Sequence, residues 1–394
     1  MSRNRHLHLA VALDGAGWHP AAWREPLAGS RDLFRASHWI EQVREAERGR
    51  LDFVTLEDSH RLQSTLAEGP DELTDRVRGR LDAIMLAARV APAIWGVGIV
   101  AAVETSVTEP FLLSTQIATL DFVSRGRAGW LLDVSTGGRD AGYVGPRLVP
   151  EGEARFDEAA ECVEVVRQLW DSWEDDAEVR DVASNRFFDR RRVHHIEYAG
   201  RHFSVKGPSI TPRPPQGQPV IAALARNRAT ESLAAASADV IIASAADERQ
   251  LASAPVRIAA AVAEAGRDPA EIRVLADLVV FLDPDRSAAF ERRHRLDSDA
   301  AGPNQPDALV FTGTPPELAD ALIDWRALGY DGFRVWPGGI PHDLQLLTRA
   351  LVPELVRRGL FRERYEADTL RGLLGLERPE NRFARRSAAG LAMR

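Results

Sequence analysis

A chain of 394 residues that is 45% hydrophobic can bury a large core, and α/β barrels of this size form a single domain. Its net charge of −8, with both signs interspersed, gives no electrostatic footprint for nucleic acid and disfavours an anionic membrane surface. One cysteine, Cys162, excludes an intramolecular disulfide, and no run of about 18 apolar residues is present to span a bilayer. The first fifteen residues lack the long apolar core and small-residue cleavage site of a secretory leader, so a cytoplasmic location is expected.

Short apolar runs alternate with segments of helical period from one end of the chain to the other. Leu7–Leu13 reads as a first strand and Asp32–Arg48 as an amphipathic helix after it. Asp52–Leu56 is a second strand, followed by a polar loop and a helix over Leu81–Val90. Val97–Val103 and Ala128–Val134 are the third and fourth strands, with helices over Phe111–Val123 and Phe156–Trp173. Val220–Leu224, Val240–Ala243, Val274–Leu282 and Gly332–Trp336 complete eight, and Leu344–Arg358 is the closing helix. The strands are continuous apolar runs, the pattern of a parallel sheet covered by helices on its faces. Eight such units predict a (β/α)8 barrel. A doubly wound sheet would need a glycine-rich turn after strand one, and Asp14-Gly15-Ala16-Gly17 lacks its third glycine.

The barrel domain is expected over residues 1–376, with a basic tail over 377–394. Two stretches break the repeat: Ser172–Gln218, highly charged and ending in TPRPPQGQP, and Arg292–Gly313, with Pro303 and Pro306. Both are expected as insertions on the βα-loop side, where barrels keep their active sites, either as lids or as solvated decoration. His194-His195 and nearby His202 have no carboxylate at ligand spacing, so no metal is expected. Cys162 falls on the apolar side of its helix and reads as core.

Several phrases, in order along nearly the whole chain, carry a resemblance. They are GWHPAAWREP at 17–26, FVTLEDS at 53–59 and TEPFLLSTQIATLDFVSRGRAGW at 108–130, then LWDSWEDDAEVRD at 169–181, HFSVKGPSITPRPPQGQPV at 202–220, and DGFRVWPGG with VPELVRRGLFR between 331 and 362. Together they resemble the nitrilotriacetate, dibenzothiophene-sulfone and long-chain-alkane branch of the bacterial-luciferase-like flavin-dependent monooxygenases. That resemblance implies a barrel that binds reduced FMN supplied by a separate reductase, reacts with O2 and oxygenates a small organic molecule. A homodimer is implied as well. A deazaflavin-dependent oxidoreductase of the same fold, or a non-catalytic relative without cofactor, are the alternatives.

The resemblance also suggests residues. Asp58, just past the second strand, matches an acidic residue near the flavin, although Asp and Ser at that place also suit a helix cap. His19 and Trp18 match a segment on the substrate side, which makes His19 the candidate for catalytic proton handling. Thr105, Ser106 and Thr108, past the third strand, and Ser135, past the fourth, offer hydroxyls to the flavin and its ribityl chain. Where relatives carry His-x-x-x-Tyr, this chain has Gly152 and Phe156; where they carry Gly-Ser-Ser, it has Ala225-Arg226-Asn227; and Leu131 replaces an Asn. These replacements strip side-chain donors from the phosphate position. Arg226 is the expected substitute anchor, because a guanidinium can fork onto a phosphate. Arg155 and the helix start at Asn227 are expected to assist. Trp18, Trp23, Phe156 and Leu131 make the expected pocket apolar, suited to a hydrophobic substrate.

Overall fold

The computed structural model describes residues 6–60, 63–64, 66, 69–134, 150, 152–300 and 307–384. Eight strands form a closed parallel barrel: β1 (His8–Leu13), β2 (Phe53–Leu56), β3 (Gly98–Glu104), β4 (Ala128–Asp133), β9 (Val220–Ala225), β10 (Val240–Ala243), β11 (Arg273–Leu282) and β13 (Gly332–Pro337). The ring runs β1-β2-β3-β4-β9-β10-β11-β13 and returns to β1, with every neighbouring pair parallel. All eight expected strands are in the ring, as predicted from their unbroken apolar runs.

Side chains alternate across each strand. One set, including Leu9, Val11, Val54, Ile99, Trp130 and Ile221, packs outward under the helices. The other set fills the barrel: Phe53, Val100, Leu131, Val220, Val240 and Leu275 pack together inside it. Leu370, Leu374 and Leu376 close the end at which the strands begin. Each fully buried aliphatic side chain of this kind contributes roughly 1.5–3 kcal/mol. Cys162 is fully buried in the outer layer, on the helix Ala154–Asp171.

One expectation about the insertions changes. Residues 172–218 follow the helix Ala154–Asp171 and precede β9, so they lie where strands begin, at the end opposite the βα loops. They carry two small antiparallel hairpins, β5 (Glu178–Asp181) with β6 (Arg186–Phe188) and β7 (Tyr198–Ala199) with β8 (Ser204–Val205). Gln216 anchors the end of this region at the barrel floor, its backbone N–H and side-chain amide donating to Asp121 at 3.0 and 2.6 Å. A segment entered from a helix and left into a strand cannot cover the mouth of the barrel.

The second stretch does lie at the βα end. It holds the end of the helix Arg286–Asp299 and a ninth parallel strand, β12 (Leu309–Gly313), while residues 301–306 fall outside the described set. β12 pairs with Leu278–Leu282, the half of β11 that projects beyond β10. Strand β11 is ten residues long against four in β10, and its unpaired upper edge is what β12 covers.

The described part of the tail is tied down. Asn381 donates to the carbonyls of Asp171 and Trp173 at 2.8 and 2.9 Å, and Arg213 donates to the carbonyl of Pro379 at 2.8 Å.

Candidate active site

The loops past the strand ends define the mouth. After β1 the chain turns through Gly17, where a Cβ would come within 2.7 Å of the Gly339 Cα, so only glycine allows the β1 loop to rest on the β13 loop. Hydrogen bonds from Trp18 N to Pro337 O (2.9 Å) and from His19 N to Gly338 O (3.0 Å) hold the two loops together.

By the strand alternation, Asp14, Glu57, Glu104 and Asp133 stand at the tops of β1, β2, β3 and β4 on the inward side. Below them a buried ionic network crosses the barrel. Arg334, with no exposed side-chain surface, grips Asp277 on the neighbouring strand with two bonds of 2.9 and 2.8 Å. Its third nitrogen donates to Glu57 Oε1 at 3.0 Å, and the Thr55 hydroxyl donates to the same oxygen at 2.5 Å. Trp336 Nε1 donates to Asp277 at 3.1 Å, and its ring centroid lies 5.0 Å from the Arg334 guanidinium. One cation thus faces two carboxylates. Burial pushes the Glu57 carboxyl above its usual range, against the pull of Arg334, and the nearby Asp14 and Asp277 charges add to the rise. Asp14 is paired with Arg80 at 2.6 Å. None of Glu57, Asp277, Arg334 and Trp336 was singled out in the sequence. The signal was there, as ionisable residues inside runs that must otherwise be buried.

The expected site residues are distributed unevenly around this network. His19 is buried, and its Nδ1 accepts from Ala21 N–H at 3.1 Å. That puts the ring proton on Nε2, which meets Asp297 Oδ1 at 3.1 Å. Burial lowers its pKa, with Asp297 opposing. Both nitrogens are therefore engaged, and the ring ties the β1 loop to the helix Arg286–Asp299 while packing edge-on against Phe281 and Trp18. Asp58 accepts from Ser59 N at 2.7 Å and Ala83 N at 2.9 Å, so its carboxylate serves the start of the helix Ala83–Val90. Thr105 donates to Asp133 O at 3.1 Å and Thr108 to Glu104 O at 2.9 Å.

Ser135 lies outside the described residues. Leu131 belongs to the packed barrel interior, while Ala225 packs in the outer layer. Phe156 packs partly against that outer layer too, under the Arg155 guanidinium at 4.8 Å. Asn227 caps the helix Arg228–Ser237, its side-chain oxygen accepting from Thr230 N at 3.1 Å. Arg226 beside it is exposed, with its backbone N–H on the Thr230 hydroxyl at 2.9 Å. The mouth thus has small residues, Ala12, Ala102 and Ala222, on its inner wall and, at one helix start, an exposed arginine with no ion pair among the described residues.

A second cluster fastens the mouth's rim. Arg292 bonds Glu25 from the β1 loop at 3.2 Å, Asp283 past β11 at 3.1 Å and Asp343 at 2.5 Å. Asp343 also accepts from Leu282 N and Gly339 N, both at 2.7 Å. Burial pushes the Asp343 carboxyl up to about 6 despite Arg292. A carboxyl raised in the folded chain contributes stability fully below the ordinary carboxylate range, and loses it as pH rises through the folded value. Urea denaturation of wild type and D343N between about pH 4 and pH 7 should therefore show wild type losing ground to the variant as pH rises. A pH-independent difference would exclude this titration.

A family model described as luciferase-like monooxygenase matches residues 16–305. The chain belongs to the luciferase-like monooxygenase family. It is 31% identical to N-acetyl-S-(2-succino)cysteine monooxygenase of Bacillus subtilis (strain 168), across 98% of this chain and 100% of that one. It is 29% identical to nitrilotriacetate monooxygenase component A of Aminobacter aminovorans, with the same coverage. A long-chain alkane monooxygenase crystal structure shares the fold with a TM-score of 0.88 at 23% identity, covering 97% of this chain and 99% of that one. This luciferase-like chain is an enzyme, an oxidoreductase of the monooxygenase class.

Proposed function

We propose that this protein is the oxygenase component of a two-component system, using reduced FMN from a separate reductase and O2 to oxygenate a small, hydrophobic organic substrate. The observation that carries the reading is end-to-end similarity to monooxygenases, one of which is by name a component A.

The residues present suit a flavin. Ala12, Ala102 and Ala222 put no bulk on the inner wall below the mouth, as a planar ring requires. Arg226 is exposed, and no carboxylate pairs with it among the described residues; it stands at the start of the ten-residue helix Arg228–Ser237, whose first N–H groups favour an anion. Arg226, with Arg155 in support, would hold the phosphate. Thr105 and Thr108 each keep hydroxyl acceptor capacity for the ribityl chain. When bound, the flavin supplies the redox chemistry with oxygen; the protein binds, orients and excludes water. His19 is a positioning residue in this reading, because holding the β1 loop already engages both of its nitrogens.

A homodimer fits the outer surface. The helix Pro110–Ser124 is apolar on its outer side as well as its buried side, with Leu112 and Phe122 exposed, and Met85 and Trp95 are exposed nearby in sequence and fold. A second copy of the chain would cover them, and light scattering would report the mass.

The cofactor is tested by anaerobic titration with reduced FMN, with oxidised FMN, FAD and a deazaflavin in parallel. Reduced FMN should bind most tightly, with a Kd on the order of micromolar. No binding of any flavin by the folded protein would refute the reading.

A further inference from the structure

Glu57 has a use that holding the fold does not exhaust. Its Oε1 accepts both protein donors, Thr55 and Arg334, and among the described residues Oε2 has no hydrogen bond. The side chain is 13% exposed and borders a narrow crevice past the ends of β1 and β2 together with Asp14, Gly15, Phe34, Arg80 and Leu81. The charged groups around it come from several elements. Arg334 stands on β13, Asp277 on β11, Asp14 at the end of β1, and Asp58 and Arg80 lie in the chain after β2. Arg334 is already matched by its two-bond contact with Asp277, and Arg80 by Asp14, so a negative charge on Glu57 would be the surplus one. With two fixed donors on one oxygen, a proton on this carboxyl would sit on the other.

We infer that Glu57 is a specificity-determining residue of this mouth: a neutral carboxylic acid whose Oε2–H donates a hydrogen bond to an uncharged acceptor oxygen of the substrate. A substrate carboxylate at the same place would face the Asp14 and Asp277 charges, and the nearby cations among the described residues, Arg334 and Arg80, are already paired. The inference deepens the oxygenase reading by naming the polar end of the substrate as an ester, ketone, ether or similar group.

Its first test needs no flavin, so it can fail or succeed apart from that reading. Infrared difference spectra of wild type against E57Q should contain a protonated carboxyl C=O band at neutral pH. The variant comparison separates Glu57 from Asp121 and Asp343, which burial also raises. If only ionised-carboxylate bands distinguish the two proteins, the inference is overturned. The second arm is calorimetry with methyl phenylacetate and phenylacetate as probes. The ester should bind at least about tenfold more tightly than the acid, E57Q should keep that preference because its amide also donates, and E57A should lose about tenfold in ester affinity. Equal behaviour of wild type and E57A toward the ester, or tighter binding of the acid to wild type, would also overturn it.

Discussion

Replacing Arg334 with Met should destabilise the protein by about 3–5 kcal/mol, because it removes the buried cation bonded to the Asp277 carboxylate and to the Glu57 carboxyl. Met keeps much of the side-chain volume, so the loss reports charge rather than a cavity. Without Arg334, the pull that opposes burial at Glu57 is gone, so its carboxyl rises further in the folded state and the variant's stability should fall further as pH rises through the new value. R334K should recover part of the loss, since an ammonium keeps the charge but cannot fork onto Asp277 while reaching Glu57. Adding D277L to R334M should also recover stability, since a buried pair replaced by apolar groups is often neutral. Urea denaturation decides the matter. A loss for R334M below about 1 kcal/mol would show that the network is not held by this charge.

The second large effect is on ligand affinity. R226A should weaken reduced FMN binding by roughly 10- to 100-fold, equivalent to one or two charge-assisted hydrogen bonds. Thermal stability should stay within about 0.5 kcal/mol of wild type, because the side chain is exposed and makes no ion pair among the described residues. The loss should shrink when riboflavin, which has no phosphate, is the titrant. Equal FMN affinity in wild type and R226A would move the phosphate elsewhere.

These two arginines differ in how they could be found. Arg226 is proposed from the sequence because it stands, in order, where the resemblance places phosphate contacts, next to an Asn that caps the following helix. Arg334 sits inside GFRVWP, and nothing local says what it meets: Asp277 is 57 residues away and Thr55 is 279. Similarly, the sequence marks His19 as a histidine past a barrel strand. Only the fold brings Asp297, 278 residues on, to its Nε2 and so engages the ring.

The sequence by itself determined the barrel and the family. Unbroken apolar runs of strand length, spaced by helical periods, are local patterns set by backbone geometry, and all eight found their place in the ring. The ordered motifs, through the family resemblance they carry, did the same for the reaction class. The tertiary structure alone decided which end of the barrel each insertion occupies and that β11 outgrows β10 to seat β12. It also decided which buried charges cancel. Pairing energies depend on distances between strands that are remote in sequence, and burial there pushes the Glu57 carboxyl above its usual range. Neither quantity is written in the order of the residues.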